Sequence, residues 1–274
     1  MSVLPETSFY FKVMVFYGGV LLLLVGNVVA FIYQCRASAK KGEMFFSLKF
    51  EESFDDKGRL DLIPINSEAE GTEDYDRIYE AYGFCYGMFF IFTLLTMFSL
   101  APEFEIQLGI AVPAYISFIL MLAAGLWLAP VFALFILELN ENNVLKIFIY
   151  TTLGSFILVF IGSVFAGSDF MVILGLILPL LIIPLVIYHL QNFVYTGMLI
   201  GTPWNVSPKN RKRMGLYGMF WFSALLCYQG STITAIALMD ESKNTWAHAV
   251  QVAMELFIVT AQLLFALFEF MGSA

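Results

Sequence analysis

This sequence is poor in charge. Asp, Glu, Lys and Arg make up 13% of it, about half of what a soluble domain carries. Histidine is scarcer still. His189 and His248 are the only two, and they lie too far apart to ligate a metal or haem from one helix. No Ser/His/Asp spacing, phosphate loop or GxGxxG stretch occurs, so hydrolytic and nucleotide-dependent chemistry have no footing in the residues. The expectation is a protein that is not an enzyme, holds no cofactor and no metal, and takes no small-molecule substrate. Cysteine is limited to Cys35, Cys85 and Cys227. They are odd in number, far apart and in or beside apolar runs, which is neither a disulfide framework nor a zinc site. They read as small packing residues. A basic stripe interleaved with aromatics is also missing, which removes nucleic acid as a partner.

What the sequence does contain is apolar. Hydrophobic residues make up 60% of its 274 positions, against about 45–50% in soluble domains. A helix needs about 20 apolar residues to cross a bilayer. Seven stretches qualify: 11–33, 81–101, 107–137, 144–166, 170–199, 214–238 and 246–271. The fold class expected is therefore an all-α, polytopic membrane helical bundle of about seven transmembrane helices, forming one membrane domain over 1–274. The third and fifth stretches carry Pro113 and Pro130, and Pro179 and Pro184. Such prolines kink membrane helices rather than end them, so each stretch is read as one span, with two half-spans as the alternative. The first apolar run is too long for a secretory signal and is read as retained.

Charge placement tests the count. Seven cations fall between the first and second spans (Arg36, Lys40, Lys41, Lys49, Lys57, Arg59, Arg77), and Lys209, Arg211, Lys212 and Arg213 fall between the fifth and sixth. With seven spans both clusters lie on one side, and cation-rich loops stay inside. The N-terminus is then outside and the C-terminus inside. Residues 34–79 form an acidic extramembrane loop. Neither Asp55-Asp56-Lys57-Gly58 nor Glu68-Ala69-Glu70-Gly71 has the alternating ligands of a calcium loop. The run Phe45–Phe50 reads as a short strand or an interfacial segment. The sequon Asn205-Val206-Ser207 is followed by Pro208 and faces inward, so it is discounted.

Ionisable and polar groups inside spans are the functional candidates. Glu255 lies deep in the seventh span. His189 follows the apolar stretch of the fifth. The sixth carries Gln229, Ser231, Thr232 and Thr234, a set suited to hydrogen bonding between helices. Glu255, Gln229, Ser231, Thr232 and His189 are thus the candidate ion-pathway or gating residues. His248 and Glu269, near the ends of the seventh span, read as groups that snorkel to the interface. Gly83 and Gly87 form a small-x-x-x-small packing pair, and Gly18, Gly19 and Gly26 permit close approach on the first span.

The C-terminal half resembles the transmembrane Bax-inhibitor-motif family. The resemblance is carried by Leu226-Cys227-Tyr228-Gln229-Gly230-Ser231, by Ala253-Met254-Glu255-Leu256-Phe257 and by the closing Phe270-Met271-Gly272. It implies a compact seven-segment bundle in which two acids form a proton-sensitive pair gating a calcium leak. Glu255 stands at about the second acid position and Gln229 at the first, so a carboxylate dyad cannot form there. Two functions follow, one from the residues and one from the residues together with what the resemblance implies. The favoured one is a non-catalytic accessory or scaffold subunit among other transmembrane subunits and membrane lipids, for example in a respiratory assembly of the mitochondrial inner membrane. The alternative is a proton-sensitive calcium leak or ion transporter using Glu255, with the endoplasmic reticulum as the alternative membrane.

Overall fold

The computed structural model describes residues 8–41, 50–54, 60–64, 114–139, 143–188, 208–239 and 244–272. Among these residues six helices build a bundle: α1 (Phe9–Lys41), α2 (Ala114–Glu138), α3 (Val144–Val164), α4 (Asp169–Leu181), α5 (Pro208–Met239) and α6 (Trp246–Met271). After a one-residue break at Ile182, α4 continues as helix over 183–188. Among the described residues, four helical stretches are long and apolar enough to cross a membrane: Phe9–Lys41, Val144–Val164, Asp169–Tyr188 and His248–Met271. The helical membrane bundle expected from the sequence is thus present. The expected second span, 81–101, lies outside the described residues, as do Gly83, Gly87 and His189.

Two short strands, β1 (Phe50–Phe54) and β2 (Leu60–Pro64), pair antiparallel with Phe50 opposite Pro64 and Phe54 opposite Leu60. The acidic loop therefore contains a hairpin, and β1 packs against α1. Of the expected strand at Phe45–Phe50, Phe50 is described and opens β1.

α6 is the axis of the bundle, touched by α1, α2, α3 and α5. In its apolar stretch 83% is buried, against 17% in Asp169–Tyr188. An aromatic cluster seals one end of this core. Phe132 of α2 lies 4.9 Å from Phe265 and 5.6 Å from Phe148, centroid to centroid, and Phe135 stacks on Phe268 at 5.3 Å. Such ring pairs stabilise the core beyond simple area burial.

Named contacts fix the helix directions. Phe9 of α1 stacks on His248 of α6 at 5.3 Å, and further along Tyr17 reaches Thr260, so α1 and α6 are parallel. α2 is parallel to α1, because Gly125 meets Val20 and Leu23 while Leu134 and Leu137 pack on Cys35. Tyr17 meets Ser155 and Tyr10 meets Ser163, so α3 runs the other way. α5 is antiparallel to both α4 and α6. It places Tyr217 on Leu181 and Trp221 on Leu178, and Gly215 against Ala266 and Phe270. The α3–α4 turn uses Gly167 at φ +77°, a conformation glycine adopts without steric cost. Ser168 then caps α4 by accepting from the Met171 N–H.

Proline is accommodated as expected. Pro130 sits inside an unbroken α2. In α4 the break at Ile182 lies between Pro179 and Pro184, and the carbonyls beside it find donors on α5. The Tyr217 hydroxyl donates to Leu181 O at 2.5 Å, and Trp221 Nε1 donates to Leu178 O at 3.0 Å. A neighbouring helix thus satisfies the carbonyls around the break.

Candidate functional site

The polar residues inside the bundle fall into three groups. The most buried is a hydroxyl cluster joining three helices. Tyr17 of α1 is fully buried. Its hydroxyl donates to Ser155 Oγ of α3 at 2.6 Å and lies 2.6 Å from Thr260 Oγ1 of α6. Ser155 Oγ in turn donates to the Thr152 carbonyl at 2.7 Å. The chain of donors ends on a backbone acceptor, so these groups are satisfied in a medium that offers no water. Sequence reading missed this cluster. Tyr17 is one of 13 tyrosines, and only the packing of α1 between α3 and α6 distinguishes it.

The second group surrounds Gln229, on the face of α5 that meets α6. Gln229 is 4% exposed, and neither its amide nitrogen nor its amide oxygen has a hydrogen-bond partner among the described residues. From the Gly218–Ala266 contact, α5 and α6 run in opposite directions for about three helical turns before Gln229 comes level with Glu255. The structure therefore brings these two candidates to one height in the bundle. Glu255 is half-buried. An unpaired amide in a low-dielectric interior is costly, and Gln229 is the side chain for which both polar atoms are left without a partner among the described residues.

Ser231, Thr232 and Thr234 behave differently from the sequence expectation. Ser231 and Thr232 donate to the Tyr228 carbonyl at 2.7 and 3.1 Å, and Thr234 to the Gly230 carbonyl at 3.3 Å. These bonds stay within α5 instead of crossing to another helix. Short hydroxyl side chains reach the carbonyl three or four residues back more readily than a neighbouring helix. The bonds between helices come from longer side chains, Tyr17, Tyr217 and Trp221.

The third group lies at the end of the bundle where α1 and α6 begin. Lys12 is 8% exposed. Its ammonium donates to Asn244 O at 2.8 Å and Oδ1 at 2.9 Å and sits 5.7 Å from the centre of the Trp246 ring. His248, in the first turn of α6, is half-buried. It stacks on Phe9, with Nδ1 3.4 Å from Gln251 Oε1. At the opposite end half-buried Glu269 lines a cavity of about 10 Å³ with Gln262, Phe222 and Gly218, room for one water at most.

Of the packing glycines the sequence suggested, Gly83 and Gly87 lie outside the described residues, and those of α1 do not make the close approach. Gly19 and Gly26 have nothing within 4 Å of a built Cβ, and Gly18 meets Phe156 at an ordinary 3.4 Å. The tight crossing is between α3 and α5, where Gly162 lies on the Cys227 carbonyl and Gly230 on the Val159 carbonyl. Comparison with known proteins returns no match among family models, curated proteins or solved structures.

Proposed function

We propose that the chain is a non-catalytic multipass membrane protein that serves as an accessory or scaffold subunit, packed against other transmembrane proteins. The observation supporting this is the contrast between a sealed interior and an open apolar flank. α6 is enclosed on nearly all sides, whereas α4 leaves Val172, Ile173, Leu176, Leu180, Ile183 and Ile187 exposed along its length. A face of that kind suits lipid or another apolar helix, and the close backbone crossing of α3 and α5 suits a rigid unit rather than an open conduit. A respiratory assembly of the mitochondrial inner membrane is the host this reading favours. A degenerate Bax-inhibitor-like bundle is its proposed ancestry.

The same reading takes seven spans with the C-terminus inward. Two parallel spans of one chain need an odd number of crossings between them. α1 and α2 are parallel, and the apolar run 81–101 has the length for the missing crossing. The cations of α1, α3 and α5 then gather at one end, as the inner side requires.

A photo-crosslinking residue placed at Leu176 or Leu180 in the native membrane is expected to capture other membrane polypeptides, whereas the buried Phe148 position captures only this chain. Capture of lipid alone at both α4 positions would sink the scaffold reading.

One observation favours the second reading, a proton-linked ion leak. It is the unpartnered Gln229 amide at the height of Glu255. The Glu255 carboxyl can hold a proton, and with Gln229 at the other position the two cannot form the coupled dyad that splits pKa values. Calcium or proton flux in proteoliposomes that disappears in Glu255→Gln would establish it. A stable assembly after mild extraction, with no flux, would eliminate it.

A further inference from the structure

We propose that the cation-bearing end of the bundle binds anionic phospholipid, seated on the outer stripe of α3. Nine Lys and Arg residues are described, and eight of them sit at this end. They are Arg36, Lys40 and Lys41 closing α1, Lys146 opening α3, and the run from Lys209 to Arg213 opening α5. They share an end because α1 is antiparallel to α3 while α5 is antiparallel to α6. Against these eight, the described helix ends place two acids there, Glu138 closing α2 and Glu269 near the end of α6. The hairpin that packs on α1 carries three further acids, Glu51, Glu52 and Asp61, so the cations remain in excess.

The height of these cations selects lipid headgroups as the partner. Tyr33 and Tyr150 are 70% and 69% exposed on α1 and α3, one to two turns inside the cations. Tyrosines in that position mark the headgroup level of a bilayer. On α3 the exposed side chains follow one another at helical spacing: Lys146, Tyr150, Leu153, Ile157, Phe160 and Val164. One lipid fits this order. Its phosphate meets the Lys146 ammonium and the Tyr150 hydroxyl, and an acyl chain lies along Leu153 and Ile157. No acid interrupts the stripe. A zwitterionic lipid presents the same chains but carries a compensating cation, so the stripe selects for net negative charge.

The test loads the purified protein with equal amounts of phosphatidylglycerol and phosphatidylcholine in detergent and quantifies the lipid retained after gel filtration. The expected result is several-fold enrichment of phosphatidylglycerol, reduced by added salt. Lys146→Gln is expected to lower the enrichment by up to about fivefold, the factor equivalent to the ~1 kcal/mol that one cation contributes near an anionic surface. Lys146 is exposed, so this variant keeps the fold; Lys209→Gln/Lys212→Gln at the same end provides a second readout. Retention at the supplied ratio overturns the proposal, and so does unchanged enrichment in both variants. Glycerol phosphate at matched ionic strength separates the sources: if it displaces the retained phosphatidylglycerol, the site recognises a soluble phosphate and not a lipid.

Discussion

Gly162→Ala is expected to destabilise the bundle by about 3 kcal/mol or more, the upper end of what overpacking costs. A Cβ at Gly162 would meet the Cys227 carbonyl, and one at Gly230 would meet the Val159 carbonyl. Both obstacles are backbone, which cannot swing aside as a side chain does, so α3 and α5 must separate. Separation loosens every contact they share with α6. Gly154 supplies the control within the same helix, because nothing lies within 4 Å of its built Cβ. Gly154→Ala is expected to be neutral or to stabilise by up to about 1 kcal/mol through helix propensity. Thermal unfolding of the three proteins in one detergent checks this. Equal midpoints for Gly162→Ala and Gly154→Ala would show that the α3–α5 crossing is not as close as described.

Tyr17→Ala is expected to cost about 3–5 kcal/mol, as for other large aromatic truncations in a packed core. Tyr17→Phe separates the hydroxyl from the ring. It retains the packing on Phe156, whose ring centroid lies 4.8 Å away, and removes the bonds to Ser155 and Thr260. Ser155 keeps its bond to the Thr152 carbonyl, so Thr260 bears most of the loss. The expected cost is about 1–2 kcal/mol, between the average for hydrogen bonds between membrane helices and the penalty for a stranded buried hydroxyl. The two variants are compared by unfolding midpoint. A Tyr17→Phe protein as stable as the parent would mean that the cluster contributes no net stability and that the ring alone holds α1 in place.

The helices were legible in the sequence wherever composition alone decides the matter. Runs of about 20 apolar residues predicted α3 and α6 within a few residues and the start of α1, which continues eight residues past its expected end, and the prolines of 170–199 marked the break that falls at Ile182. The functional candidates were legible to a lesser degree. Gln229 and Glu255 stood out because polar groups are rare in such runs, and the fold sets them at one height. Ser231, Thr232 and Thr234 stood out for the same reason, yet their hydroxyls bond to their own helix. Rarity in a sequence identifies a polar side chain but cannot say which carbonyl is nearest to it.

Glycine and tyrosine show where sequence reading stops. Gly18, Gly19, Gly26, Gly162 and Gly230 look alike in an apolar run, and only the crossing of α3 and α5 shows which two lie against backbone. Tyr17 and Tyr150 are both tyrosines on apolar helices. One is sealed among three helices and the other is 69% exposed. The amino-acid sequence by itself determined that this chain partitions into a membrane as several helices, because transfer of apolar side chains depends on composition and length. The tertiary structure alone decided which faces of those helices are interior and which polar groups are satisfied. Those outcomes depend on helix direction and rotation, which uniformly apolar helices do not encode in any periodic pattern.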